Sequence, residues 1–163
     1  MDKAYLRKIL QQEKSYMKKL ITILLLGMLP PLVSQAQIKW VNFEDLDSLQ
    51  KVEQRGVIVD VYADWCSWCK KMDKETFSDT EVGDFVNGRF YAVKLNAESK
   101  RPFIFKGETY TEQKMAQTMM VSSYPTIVFI DAALENIFHA PGYRDKNTFL
   151  LLLKQVHENQ TTE

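Results

Sequence analysis

Apolar, β-branched residues crowd into VIVDVYA (57–63), a run whose length and composition predict a strand buried on both faces. Runs of the same kind return in RFYAVKLN (89–96) and PTIVFID (125–131), and a fourth strand is expected across 135–140 after a turn at Ala132-Ala133. Between the strands the apolar period lengthens. Phe43, Leu46, Leu49 and Val52 share one face of a helix that Asn42 caps and Gly56 ends, running to about Arg55. CSWCKKMDKE, beginning at Cys66, holds neither Gly nor Pro and reads as the first turns of a second helix, interrupted by TFSD (76–79). Thr80 is expected to cap a helix through Val86, closed by Asn87-Gly88. Thr111 opens another in TEQKMAQTMMV (111–121), and DKNTFLLLLKQVHEN (145–159) is an amphipathic closing helix. Residues 97–110 have no clean period and contain Pro102 and Gly107, which predicts a loop with local extended structure.

The order of elements sets the architecture. Two strand–helix–strand crossovers imply parallel strands, and the short 131–135 turn implies an antiparallel hairpin at the end. The fold class is α/β: a three-layer sandwich with a mixed central sheet and helices on both faces.

The first 36 residues follow a different pattern. MKKLITILLLGMLPPLVSQAQ, from Met17, has two lysines, an apolar stretch, a Pro30-Pro31 break and small residues at Ser34 and Ala36. That is the layout of a secretory signal peptide over 17–36. A membrane anchor is the alternative, but the apolar stretch falls short of the about 20 residues needed to span. Residues 1–16 are polar and read as an N-terminal extension or a mis-called start, with Met17 as initiator. Cleavage after Ala36 leaves one domain, 37–163, with 15 Lys and Arg against 19 Asp and Glu and a net charge of −4. A mildly acidic domain lacks the basic stripe of a nucleic-acid binder, and that class is set aside. The expected location is outside the cytoplasm: periplasmic if the cell is Gram-negative, otherwise secreted or membrane-associated.

The chain has two cysteines, Cys66 and Cys69, with Ser67 and Trp68 between them. A zinc site needs four ligands, no second pair exists, and His139 and His157 lack ligand spacing. A structural disulfide here would close a tiny loop and restrict the unfolded chain little. Export favours oxidation of thiols. With Cys66 at the start of a helix, unpaired N–H groups and the helix dipole favour its thiolate. Cys69 lies on the same face one turn deeper, so the first sulfur is expected to be accessible and the second shielded. Thiol–disulfide exchange is the reading that gathers weight, with metal and structural roles as the alternatives.

VIVDVYADWCSWCK, YAVKLN, YPTIVFID and PGY, in this order, resemble the landmarks of the thioredoxin family across 40–158. Within that family YADWCSWCKKMDKETFSD is most similar to the C-terminal periplasmic domain of the transmembrane disulfide reductase DsbD. The resemblance implies a thioredoxin-like sandwich and a role for each matching residue. Cys66 matches the attacking cysteine, Cys69 the resolving one, and Trp65 the tryptophan that shields the pair. Asp60 matches a buried acid that assists proton transfer at the resolving cysteine, and Lys94 a lysine beside that acid. Its apolar strand should also raise the Asp60 pKa. Pro125 matches a cis-proline facing the disulfide, preceded by Tyr124, whose backbone can pair with an extended substrate. Gly142 matches a glycine that lets a substrate backbone approach. Ser67-Trp68 departs from the family's Gly-Pro, and Trp68 places a large aromatic beside the reactive sulfur. The stretch 97–110 is longer than the family's, and Phe103, Phe105 and Tyr110 in it suggest either partner recognition or a loop packing its own aromatics.

The functional expectation is an exported thiol:disulfide oxidoreductase that reduces envelope proteins, with no cofactor and no metal. Its partners would be disulfide-containing or thiol protein substrates, with a membrane-embedded disulfide reductase as electron donor. The alternatives are a dithiol oxidase that introduces disulfides, or a thioredoxin-fold binding or chaperone module whose pair is incidental.

Overall fold

The computed structural model describes residues 11–14, 16–18 and 37–161. The chain divides at Ser34–Gln35 into two units. Of the first, residues 11–14 and 16–18 are helical; apart from Met17 and Lys18, the expected leader over 17–36 lies outside the described residues. Among the described residues no helix is long and apolar enough to cross a membrane.

In the second unit the elements run β1 (Trp40–Val41), a 3₁₀ turn (Phe43–Asp45), α1 (Leu46–Val52), β2 (Gly56–Tyr62), α2 (Ser67–Met72), a π-helical turn (Asp73–Phe77) and α3 (Thr80–Arg89). Then follow β3 (Phe90–Asn96), β4 (Pro102–Phe105), β5 (Glu108–Thr111), α4 (Glu112–Thr118), β6 (Thr126–Ile130), β7 (Ile137–Pro141) and α5 (Lys146–Thr161). The main sheet has the order β1-β3-β2-β6-β7, with β2 at its centre. β1, β3 and β2 are parallel, whereas β6 is antiparallel to β2 and β7 to β6.

Strand alternation sorts the core into two layers. Val57, Val59 and Val61 of β2 pack with Phe43, Leu46, Met115 and Met119 on one face. Ile58 faces the other way, into a layer with Met72, Phe77, Val82, Phe149 and Leu153. Asp60, two residues beyond Ile58, therefore points toward the face covered by α2, α3 and α5. Phe149 is fully buried there and meets Phe77 edge-on at 5.6 Å. Phe149→Ala is expected to lower stability by about 3–5 kcal/mol, the usual cost of emptying a buried aromatic site. Urea unfolding would measure it, and a loss under about 1 kcal/mol would contradict this place in the core.

Several expectations need correcting. The second crossover, from β3 to β6, is not parallel. The segment 97–110 forms a β4–β5 hairpin that returns the chain to where it left β3, with Glu112 N–H bonded to Arg101 O and Gln113 N–H to Ser99 O. The seven-residue α4 then spans only about 10 Å. That is too short to run back along the sheet, and the chain re-enters at the same end of the strands, with β6 on the other side of β2. The hairpin aromatics face inward: Phe103 is buried, Phe105 and Tyr110 pack on the same layer, and the rings of Phe103 and Phe105 meet Phe43 while that of Tyr110 stacks on Phe103. Of the two readings offered for this stretch, packing of its own aromatics is the one observed.

Helix ends shift too. Val52 is 87% exposed and takes no part in the core. Gly56 does not end α1 but opens β2, at a point where a Cβ would lie 2.4 Å from Gln160 Oε1 and 3.1 Å from the Phe90 ring. Asp79, not Thr80, caps α3 by accepting from the N–H groups of Glu81 and Val82, and α3 runs on through Asn87-Gly88.

Candidate active site

β2 ends at Tyr62, and the chain turns through Asp64-Trp65 to place Cys66 at the N-cap of α2. The Cys66 sulfur accepts the Cys69 N–H at 3.1 Å, an arrangement that stabilises negative charge on that sulfur. Cys66 and Cys69 form a disulfide. Ala63, Tyr62 and Tyr124 pack on the pair. In this oxidised form both cysteines are 4% exposed, so the expected contrast between an open first sulfur and a shielded second is not present.

Opposite the pair, the Tyr124–Pro125 bond is cis. Pro125 O accepts the Gly142 N–H at 2.8 Å, which joins the start of β6 to the end of β7. Gly142 has φ +89, and a Cβ there would meet nothing within 4 Å. Its surface is thus open to an incoming chain.

Asp60 is 2% exposed on the central strand, directly across from Lys94 in the β2–β3 register. Lys94 Nζ lies 3.3 Å from Asp60 Oδ2 and also pairs with Asp73, on the helical segment that follows the cysteines. The rings of Trp40 and Tyr62 stand 5.0 and 5.3 Å from the ammonium. Burial pushes the Asp60 carboxyl up to about 6 despite the pull of Lys94, and Asp73 adds to the rise. Burial works against the charge on Lys94 as well, but the two carboxylates outweigh it and its pKa is raised. A carboxyl poised near neutral pH can take and return a proton at the cost of little driving force.

A family model described as a thioredoxin-like domain matches residues 43–157. The chain belongs to the thioredoxin-like family. It is 31% identical over 130 residues to the thiol:disulfide interchange protein DsbD of Haemophilus influenzae, a match that covers 77% of this chain and 21% of that protein. The chain spans about a fifth of the length of the curated relatives it matches. Among solved structures it is similar to a DsbH oxidoreductase, with a TM-score of 0.63 and 17% identity over 80% of this chain and 92% of that one. It is also similar to the oxidised C-terminal domain of DsbD from Neisseria meningitidis, with a TM-score of 0.52 and 21% identity over 68% of this chain and 88% of that one. At these identities the two structures speak for the fold. The thioredoxin-like domain carries Cys66–Cys69 as its disulfide pair.

The remaining thioredoxin-like landmarks occupy the same end of the sheet. Trp65 stands edge-on to Tyr124 at 6.0 Å and donates its indole N–H to Glu98 at 2.9 Å. Two thirds of Trp65 (67%) stays open to solvent, so it forms part of the rim. Trp68, also exposed, lies 5.4 Å from Tyr143.

Four participants escaped the sequence reading: Asp73, Glu98, Tyr143 and Arg144. Asp73 lies four residues after Cys69, a spacing that marks one helix face, and could have been found that way. Tyr143 directly follows Gly142. Arg144 Nη1 donates to the carbonyls of Ala140, Pro141 and Gly142, each at 3.0 Å, and Thr76 Oγ1 donates to Arg144 O at 2.7 Å. Those bonds clamp the Gly142 loop to the segment that carries the cysteines; no sequence signal announces them.

Proposed function

We propose that this protein works outside the cytoplasm as a thiol:disulfide reductase of envelope proteins. The observation that carries the reading is the Cys66 sulfur at a helix start, accepting the Cys69 N–H, beside the cis Tyr124–Pro125 bond. The Cys66 thiolate attacks one sulfur of a partner disulfide, forming a mixed disulfide and releasing the other partner sulfur as a thiolate that takes up a proton. Cys69 then gives its proton to Asp60, directly or through water, and attacks Cys66 Sγ. The Cys66–Cys69 bond forms, the second partner thiol leaves, and two electrons have passed to the partner. Lys94 holds the Asp60 carboxyl in place and tempers its charge. Tyr124, Pro125 and Gly142 offer backbone to an extended partner segment, and Trp65 and Trp68 form the rim against which it lies. A membrane-embedded disulfide reductase returns the pair to the dithiol.

The relatives named as thiol:disulfide interchange proteins support exchange at this pair, the resemblance of YADWCSWCKKMDKETFSD to a disulfide reductase domain supports the electron direction, and the apolar stretch beginning after Lys19 supports export. The test is the thiol state in cells. After acid quenching, fractionation and alkylation with a mass-tagged maleimide, the chain is expected in the envelope fraction with both cysteines labelled. A pair found oxidised would favour a dithiol oxidase, and a chain found in the cytoplasm would overturn export.

A further inference from the structure

Export of this chain implies a cut after Ala36, where Ser34 and Ala36 supply the small residues that leader cleavage needs. The residue that such a cut leaves at the amino terminus is Gln37. A glutamine in that position can close its carboxamide onto its own free amine. Chain ends fray unless they are tied down, and Gln37 is tied. Asn87, on α3, donates its side-chain amide to Gln37 O at 2.9 Å and accepts the Lys39 N–H at 2.8 Å. Ile38, between them, is buried in the layer with Phe77 and Phe149.

Gln37 itself is exposed, and among the described residues neither its backbone nitrogen nor its carboxamide takes a hydrogen bond. Ring closure uses these two groups and leaves both Asn87 bonds as they are. Gln37 also lines a cavity of about 220 Å³ with Ile38, Trp40, Asp73, Phe77 and Ser78. Asp73 is the one charged residue in that lining, and it is already paired with Lys94. A free amino terminus has an ordinary pKa of about 7.7–8.0 and would bring a second cation to this cavity near neutral pH. A lactam is neutral and leaves Asp73 to Lys94.

We propose that the mature chain begins at Gln37 and that this residue is modified to pyroglutamate. The unprotonated α-amine attacks the carbon of the side-chain amide. A new C–N bond closes the ring, the bond to the side-chain nitrogen breaks, and that nitrogen leaves as ammonia with a proton from the amine. No oxidant, reductant or water is consumed. The inference rests on the export reading above and is independent of the direction of electron flow.

The test uses the full chain, leader included, expressed with a C-terminal tag in a Gram-negative bacterium, purified from the envelope fraction and incubated at neutral pH. Intact and peptide mass spectra then locate its first residue. The expected product starts at Gln37 and is lighter by one ammonia than the unmodified chain from Gln37 onward. It should resist Edman degradation until pyroglutamyl aminopeptidase removes the ring and frees Ile38. Gln37→Ala keeps Ser34 and Ala36, so it should be cut at the same bond and give a free amine that Edman degradation reads directly. A chain that starts at Gln37 with its ammonia retained overturns the modification and leaves export intact. A cut at another bond, or an uncut chain in the envelope, overturns it equally. An uncut chain found in the cytoplasm would sink the export reading, and this inference with it.

Discussion

Serine in place of Cys66 is expected to lower the rate of protein-disulfide reduction by more than about a thousandfold, the scale on which deletion of a covalent nucleophile is felt. The expectation follows from where the sulfur sits. Cys66 caps α2 and takes the Cys69 N–H, so its thiolate is the one the backbone stabilises. A serine hydroxyl at the same place stays protonated and cannot attack a disulfide. Cys69→Ser should behave differently, because the first attack needs only Cys66. That variant should accumulate a mixed disulfide with its partner, visible as a reducible band of higher mass on a gel. Alkylation of the reduced protein over a pH series should show Cys66 reacting first, with a pKa below the free value of about 8.5. Equal losses in both variants with no trapped species, or labelling of Cys69 first, would reverse the assignment of attacker and resolver.

Asp60→Asn is expected to raise stability at neutral pH while slowing the resolving step. The folded Asp60 pKa is lifted from 3.8 to about 6 by burial. The native state therefore holds a proton that the unfolded state has released between these values, and stability falls as pH rises through this window. Above the window the buried charge weakens the fold by up to about 3 kcal/mol, roughly two pKa units' worth. Asparagine removes that charge. The gain should appear above pH 6 and vanish below pH 4, where Asp60 is protonated in both states. Urea unfolding of the oxidised proteins at the two extremes would show it, and a gain of the same size at both would mean that Asp60 is not the titrating group. Without a proton acceptor at Asp60, resolution of the mixed disulfide should slow by about 100-fold near neutral pH, within the usual range for a positioned acid–base group. A rate unchanged from the parent across the pH range would remove Asp60 from the reaction.

The strands at the centre of the sheet were the most legible part of the sequence. VIVDVYA predicts β2 to within a residue because burial on both faces leaves an unbroken apolar run, with Asp60 as its one interruption. The strand at Trp40–Val41 was missed because two residues carry no period; its pairing with Ala92 and Val93 defines it. The β4–β5 hairpin hides for a related reason. Its strands have four residues each, and its turn places Lys106 and Gly107 at positive φ, where Asn-Gly would have been the readable signal. The antiparallel direction of β6 could not be inferred without that hairpin. At the site, the cysteines stand out locally, since spacing and helix start suffice to place them. Asp60 and Lys94 needed the family resemblance, because their pairing joins two strands. The contacts of Trp68, Lys71 and Glu75 with Tyr143 join segments about seventy residues apart and become visible only once α2 and the Gly142 loop are seen in contact.

The reduction potential of the Cys66–Cys69 couple bears most directly on the proposed function. A protein that donates electrons to envelope disulfides needs a couple more negative than theirs. Equilibrating the purified protein against graded ratios of reduced and oxidised dithiothreitol, and counting alkylated cysteines, gives the value. It should lie toward the reducing end of the thioredoxin-fold range, near about −270 mV. A value near the oxidising end, about −120 mV, would contradict the account and make the protein a donor of disulfides instead.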